Sequence, residues 1–506
     1  MKKVAPKLLI ALVAVFISVS GLLYAQDPSR VQKKYHLKMT LEEVIETARE
    51  QSPTALVAKH NFRSDYWQFR SYKAQFLPSL NLSASLGQYN RSLQPLQNST
   101  TGEIDYIINN NLRNSLSLSI NQNIAATGGK VSIITTLNRL DQFSPTDNLL
   151  YNSQPISFYY TQPIKAYNSL RWEKKIEPKQ YEMAKRSFLE AMEAINISAT
   201  SLFFEVLSAQ NALDMAEKNY KTSEMNVKIA QERYEIGSIT NSDLLQLRLR
   251  LYNDKLSISD NRLSLDMSML KLLSYLGYNE NAEIELIMPR MGPDVQLDFN
   301  EVYTRALENS SYNLNNELQI LSAEQAVAQA KSVNGLQAGL TAQFGLTQKG
   351  NTLSSAYYNP MDQEVLGLSL SLPILDWGLG KGKVKLAKSR EEVVRAQVEQ
   401  AYSQHKQDIL IKVLQFNRQR TQCEISFQAD SIAQLRFNIT SERFQNATIN
   451  AMELNTAQTE KDAAANRYIS DIGNYWQYYF NIRKLSLYDY IKRDKISADF
   501  EKMIDN

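Results

Sequence analysis

Few side chains in this sequence are of a type and spacing that could do chemistry, and each is best tested singly. The three histidines, His36, His60 and His405, have no partners at metal-ligand spacing, so no metal site is expected and solvated helix faces are the simpler reading. Gly378-Leu379-Gly380-Lys381-Gly382-Lys383 has the composition of a phosphate loop but lacks the Gly-x-x-x-x-Gly-Lys-Ser/Thr spacing; it reads as a flexible strand-to-helix corner. Cys423 is the single cysteine, which excludes a disulfide within the chain and N-terminal lipid attachment on cysteine, and it is expected as a small core residue. No Ser/His/Asp set, paired catalytic carboxylates or cofactor loop stands out, so neither an enzyme nor a cofactor is expected. Two acids, Asp243 and Glu453, remain. They hold the same place in two matching stretches of sequence.

Those stretches are Glu232-Arg233-Tyr234-Glu235-Ile236-Gly237-Ser238-Ile239-Thr240-Asn241-Ser242-Asp243-Leu244 and, 210 residues later, Glu442-Arg443-Phe444-Gln445-Asn446-Ala447-Thr448-Ile449-Asn450-Ala451-Met452-Glu453-Leu454. Each reads as a helix end, a small-residue turn and a new helix start. Gly237 can take the left-handed conformation that stops a helix, and Thr240 or Asn241 can cap the next. An acid in the first turn of that next helix is favoured by the helix dipole alone.

The same shift of 210 relates Gln162-Pro163-Ile164 to Leu372-Pro373-Ile374. Earlier in the chain the shift is 258: Leu41-Glu42-Glu43-Val44 matches Phe299-Asn300-Glu301-Val302, and Leu80 to Ala84 matches Ala338 to Ala342. The difference between the two shifts is 48 residues, which must be extra in the first half, between Gly87 and Gln162. The sequence therefore divides into residues 26–297 and 298–506 as two structural repeats.

The elements that position the turns follow from periodicity. Residues 40–76 read as a helix, with Thr40 and Glu43 forming a capping box and Pro53 a candidate kink. Leu80, Leu82, Ala84 and Leu86 then alternate with polar or small residues, as strands do. Further strands are predicted over 112–124, 131–141 and 155–164, with 143–153 loop-like, and in the second half over 336–346 and 366–372. From about 169 to 235 one long helix carries Phe188, Met192, Ile195, Ala199, Leu202, Val206, Ala209, Leu213, Ala216 and Tyr220 at steps of 4 and 3, a coiled-coil seam. At 1.5 Å per residue it would be roughly 100 Å long. Helices are also expected over 241–276, 298–333, 383–445 and 451–490. Stacking 241–276 end to end with 298–333 would match the long helix in length and set the connector 277–297 near mid-height.

Composition narrows the class. The chain has 506 residues, 22% charged and 9% aromatic, with a net charge of +3 and no concentrated basic patch, which argues against nucleic acid as a partner. Lys2 and Lys3, the apolar run Leu8 to Val19 and a small residue at Ala25 read as a signal peptide over residues 1–25. No other stretch is long and apolar enough for a spanning helix, so a membrane crossing would have to be made by strands.

In the order of its elements, in the strand ends Gln162-Pro163-Ile164 and Leu372-Pro373-Ile374, and in the Arg-Tyr-x-x-Gly turn, the mature chain resembles the TolC-type outer membrane efflux proteins. The resemblance implies an α+β membrane protein: a homotrimer whose β-barrel in outer membrane lipid continues into a long periplasmic α-helical coiled-coil barrel. It also implies docking to a periplasmic adaptor and an inner-membrane pump. The turns would be periplasmic tips, with Gly237, Ser238, Ala447 and Thr448 as adaptor contacts, and Asp243 and Glu453 would line the pore constriction. Two departures stand out: Ala447 replaces the usual glycine, and the 48 extra residues exceed the family's two strands per half.

The polar face of the predicted strands carries Ser, Asn, Gln, Thr and Gly and little charge, which suits a wide water-filled lumen behind a lipid-facing apolar band. Six strands cannot close a barrel alone, so several copies must, and four strands in the first half with two in the second give 18 in a trimer, the alternative being an extra hairpin that projects above a barrel of 12. The function expected is an outer membrane exit duct conducting substrates passively. The rivals are the outer membrane component of type I protein secretion and a structural coiled-coil surface protein; apolar and polar strand faces separate a duct from the latter.

Overall fold

The computed structural model describes residues 36–505 except 98–101, 103, 279–282 and 447. The expected signal peptide, 1–25, and Ala447 lie outside the described residues. After β1 (His36–Met39), Thr40 caps α1 (Leu41–Gln51), with its hydroxyl accepting from the Glu43 N–H and the Glu43 carboxylate accepting from the Thr40 N–H. The single helix expected over 40–76 is two helices. Ser52 is extended (φ −63°, ψ 145°), as a residue before proline prefers, and it caps α2 (Pro53–Ala74) with Pro53 in the first turn. Pro53 starts a helix and does not kink one.

Six long strands follow one plan. β2 (Ser79–Gln97), β3 (Ile104–Ile124), β4 (Gly129–Ser144) and β5 (Asn148–Lys165) come from the first half. After α3 (Ser169–Glu235), α4 (Asn241–Leu276), the short β6 (Glu283–Leu286), α5 (Phe299–Asn309) and α6 (Ser311–Val333), the second half adds β7 (Gln337–Gly350) and β8 (Met361–Ser371). All pair antiparallel in one sheet of order β2-β3-β4-β5-β7-β8. The extra hairpin is thus part of the sheet. The strands also run longer than expected: most of 143–153, predicted as loop, belongs to β4 and β5, because Leu149 and Tyr151 continue the pairing against Asp141 and Arg139.

The register fixes two faces. Leu80, Ile120, Ile133, Phe158 and Phe344 lie opposite one another across five strands, and the neighbouring row reads Ser79, Asn121, Ser132, Tyr159 and Gln343. A bulge at Ser85 to Gln88, with Gly87 at φ +73°, keeps Tyr89 and Leu93 on the apolar side against Leu112 and Ile108. Among the described residues no layer covers that side: Leu80 is 66% exposed and Leu366 74%. No described helix is long and apolar enough to cross a membrane.

The helical part closes with α7 (Leu379–Gln445), α8 (Ala451–Ser486) and the short α9 (Phe500–Asp505). Helices α3 and α7 each have 67 residues, about 100 Å, and α4 and α8 each have 36. Most of the stripe counted on α3 from Phe188 to Ala216 is buried. In one half of the helical length neighbours run α4-α3-α8-α7; in the other they run α2-α3-α6-α7.

The end-to-end stacking differs from the expectation. Helix α4 abuts the α1–α2 junction, where a Cβ on Gly277 would lie 3.3 Å from the Gln51 carbonyl oxygen, so 241–276 is not continued by 298–333. The parallel pair of β1 with β6 holds His36–Met39 beside the connector and brings α1 there. The helix expected over 298–333 also divides, at Ser310, whose successor Ser311 is held by Glu190 of α3 through its N–H at 2.6 Å and its hydroxyl at 2.7 Å. Helix α8 ends at Ser486, short of 490, because Leu487 takes the left-handed conformation.

The main core lies around this mid-height junction. Phe62, Phe188, Phe203, Phe416, Ile472, Tyr475 and Tyr479 pack there, and Cys423 is fully buried. The connector is clamped by Tyr475, whose hydroxyl donates to the Pro293 carbonyl at 2.7 Å while its ring leaves no space for a side chain on Gly292. Next to it Arg483 bridges Glu193 at 2.9 Å and Asp489 at 3.0 Å, and the Tyr479 hydroxyl donates to Asp489 at 2.6 Å. Burial lifts the Glu193 carboxyl above its ordinary value, against the pull of Arg483.

Candidate functional site

The two matching turns lie side by side at one end of the helical part. A small apolar cluster joins them: Ala230 from α3, Leu244 and Leu247 from α4, Phe437 and Phe444 from α7, and Ala451, Leu454 and Ala457 from α8. It is separate from the mid-height core, so the tips have an anchorage of their own.

Both turns end their helix in the same way. Ile236 follows α3, Gly237 is left-handed at φ +74°, and the Ser238 N–H donates to the Arg233 carbonyl at 2.8 Å. At the second turn the Thr448 N–H donates to the Arg443 carbonyl at 3.0 Å, and the Thr448 hydroxyl to the same oxygen at 2.9 Å. These are the six-to-one bonds that close a helix on a left-handed residue. The same closing bond is thus made at both turns, and Ala447 lies outside the described residues. Gly237, Ser238 and Thr448 are all exposed.

The acids differ in what they do. Thr240 caps α4 in a full capping box, with its hydroxyl accepting from the Asp243 N–H at 3.2 Å and donating to the Asp243 carboxylate at 2.8 Å. Asp243 is therefore occupied by its own helix start. At α8 the cap is Asn450, whose Oδ1 accepts from the Glu453 N–H at 2.9 Å; the Glu453 carboxylate is exposed and has no partner among the described residues. The side chain at Asn450 cannot donate a hydroxyl proton as Thr240 does, and the longer Glu453 is left to solvent.

Arg233, in the first matching stretch, ties the two turns together, which its place in the sequence alone does not show. Its Nη2 donates to the carbonyl oxygens of Phe444 and Gln445, both at 2.7 Å, and its guanidinium carbon lies 5.2 Å from the Phe444 ring centre. Carbonyls at a helix C-terminus lack helical partners and carry partial negative charge, so a cation there is doubly favoured. The recurrence of Arg at 233 and 443 was the available signal.

The glycine-rich corner holds no anion site of the phosphate-loop kind. The Asp376 carboxylate accepts from the Gly378 N–H at 3.0 Å and the Gly380 N–H at 2.7 Å, occupying the start of α7 itself. Those two bonds hold the carboxyl below the usual carboxylate range.

Comparison with known proteins bears on the fold as a whole. Residues 130–278 match the family model described as outer membrane efflux protein. The fold is similar to the Campylobacter jejuni CmeC outer membrane channel, at 14% identity and TM-score 0.65 over 92% of this chain and 88% of that one. It is similar to the outer membrane protein VceC from Vibrio cholerae, at 15% identity and TM-score 0.62 over 88% and 95%. A membrane protein from Pseudomonas aeruginosa gives 13% identity and TM-score 0.63 over 88% and 90%. No curated protein matches.

Proposed function

We propose that this chain, whose residues 130–278 match the family model described as outer membrane efflux protein and whose fold is similar to that of outer membrane channels, is the exit duct of a tripartite efflux system. It is an outer membrane efflux channel that extends into the periplasm and conducts passively what a periplasmic adaptor and an inner-membrane pump deliver. Three copies close their six-stranded sheets into one barrel of 18 strands, and the helices continue it as a tunnel. The chain is read as two structural repeats, 26–297 and 298–506.

One observation carries this reading. The sheet has an uncovered apolar face and two open edges, β2 and β8, neither of which has a second partner strand among the described residues. In lipid the apolar face costs nothing to expose, but open edges are prohibitive, so the edges must meet in a closed ring. The edge helices ask for the same. Helix α4 exposes Leu245, Leu249, Tyr252, Leu256, Leu263 and Met267, and α7 exposes Leu414, Ile425, Ile432, Leu435 and Ile439, both at coiled-coil spacing. A copy on each side covers both.

The tips are the constriction and the adaptor contact. Glu453 carries the larger share of an acidic ring that favours cations, and Asp243 a smaller one because its carboxylate is held by Thr240. Gly237, Ser238, Ala447 and Thr448 form the surface offered to the adaptor. The experiment is native mass measurement of detergent-purified protein together with conductance in a planar bilayer. A trimer that conducts is expected. A folded protein that stays monomeric, or one that leaves the bilayer insulating even after Arg233→Ala loosens the tips, overturns the reading.

A further inference from the structure

We propose that Arg443 does between neighbouring copies what Arg233 does within one chain: its guanidinium donates to the carbonyl oxygens of Tyr234 and Glu235 at the end of the next copy's α3. This deepens the trimeric reading above and rests on it. Arg233 and Arg443 occupy the same position three-dimensionally as well as in sequence, since each carbonyl accepts the bond that closes its helix, at 2.8 Å from Ser238 and 3.0 Å from Thr448.

Their side chains are in opposite states. Arg233 is half-buried and satisfied, and the aromatic residue it covers, Phe444, is only 4% exposed. Arg443 is exposed, with no side-chain hydrogen bond or ion pair among the described residues. Tyr234, which precedes the first turn as Phe444 precedes the second, is 42% exposed. One chain therefore contains a filled clasp and the two separated halves of a second one.

Assembly brings the halves together. Within the chain the α3–α4 hairpin offers its arginine to the α7–α8 hairpin. In a ring the α7 edge faces the next copy's α3–α4 hairpin, because α7 and α4 carry the two uncovered apolar seams. Arg443 then meets the end of α3 as Arg233 meets the end of α7. The acceptor end is more favourable here, since Glu235 adds a carboxylate where the intrachain clasp has Gln445. Every tip would be tied on both sides, by one clasp within a chain and one between chains.

The test uses the full-length protein with Arg443→Cys and Glu235→Cys combined, treated with a short bis-maleimide. Cys423 does not interfere, being fully buried. Denaturing electrophoresis should show covalent dimers and trimers, while each single variant stays at monomer mass. Arg233→Cys with Gln445→Cys should react within one chain, gaining only the linker and forming no covalent dimer or trimer. A native trimer that gives no intersubunit product overturns the clasp and leaves the trimer standing; a native monomer overturns both. As a second readout, Arg443→Ala should raise mean single-channel conductance by about two-fold or more, as Arg233→Ala does. Unchanged conductance for Arg443→Ala alongside a rise for Arg233→Ala counts against the intersubunit clasp.

Discussion

Arg233 Nη2 donates to the carbonyl oxygens of Phe444 and Gln445, each at 2.7 Å, so the end of one 67-residue helix is capped by a side chain from the end of the other. Arg233→Ala removes both bonds and the cover over the Phe444 ring. We expect faster amide exchange confined to residues around 442–448, corresponding to about 1 kcal/mol, below the range of about 1.5–3 kcal/mol usual for bonds to a charged group because the site is partly solvated. Exchange that is unchanged at the tip means the α7 end is held by its own turn.

The two acids should separate in electrophysiology. Glu453→Gln is expected to lower cation selectivity and weaken block by multivalent cations added from the periplasmic side. Asp243→Asn should change selectivity less and instead loosen the first turn of α4, by about 0.5 kcal/mol, through its bonds with Thr240. Full selectivity and block in the double variant would place the constriction elsewhere.

Gly292→Ala tests the mid-height clamp. A Cβ there would fall 2.1 Å from Tyr475 Cε1, and Tyr475 cannot retreat because it is buried and tied to Pro293. Overpacking of this kind costs about 1–3 kcal/mol. A lower thermal midpoint is expected, with partial recovery in the Gly292→Ala, Tyr475→Phe pair if the tie, and not only the ring, resists the shift.

Glu193 should give the helical part a pH dependence. Its ordinary carboxyl value is 4.5, and burial raises it in the folded protein. A carboxyl with a raised folded pKa stabilises the fold while protonated, and that contribution is lost as pH rises through the folded value. Glu193→Gln should therefore flatten the fall in denaturation midpoint above pH 4.5. Equal slopes for parent and variant would show that Arg483 holds the group charged throughout.

Cys423 is predicted to be silent toward thiol reagents at pH 8, since burial pushes its thiol up to about 11 and nothing exposes it. Mass spectrometry should find no adduct on the native protein and full labelling in denaturant. Rapid native labelling would mean that α7 and α8 separate at mid-height.

Most of the element order was legible because apolar spacing alone distinguishes long helices from alternating strands: α3, α4 and the end of α7 fall where the stripes and turns put them. What was not legible depended on contacts between distant residues. The break at Ser310 is enforced by Glu190 on another helix, and the joining of α4 to α1 rather than to 298–333 by the pairing of β1 with β6. At the tips, the acids were visible from position, but the Thr240 hydroxyl that engages Asp243 and the reach of Arg233 to α7 require coordinates.

The six-stranded sheet also fixes how the two parts of the proposed trimer meet. Strands spaced about 4.8 Å and tilted about 40° give each copy roughly 38 Å of circumference. The four helices α2, α3, α6 and α7 that adjoin the sheet, spaced about 10 Å, give roughly 40 Å. With only four strands the wall above would be a third narrower than the wall below. In that proposed trimer the added hairpin would make the two bores about equal, so flow would meet no step or funnel on leaving the helices, and hydraulic resistance would be concentrated at the far end of the pipe.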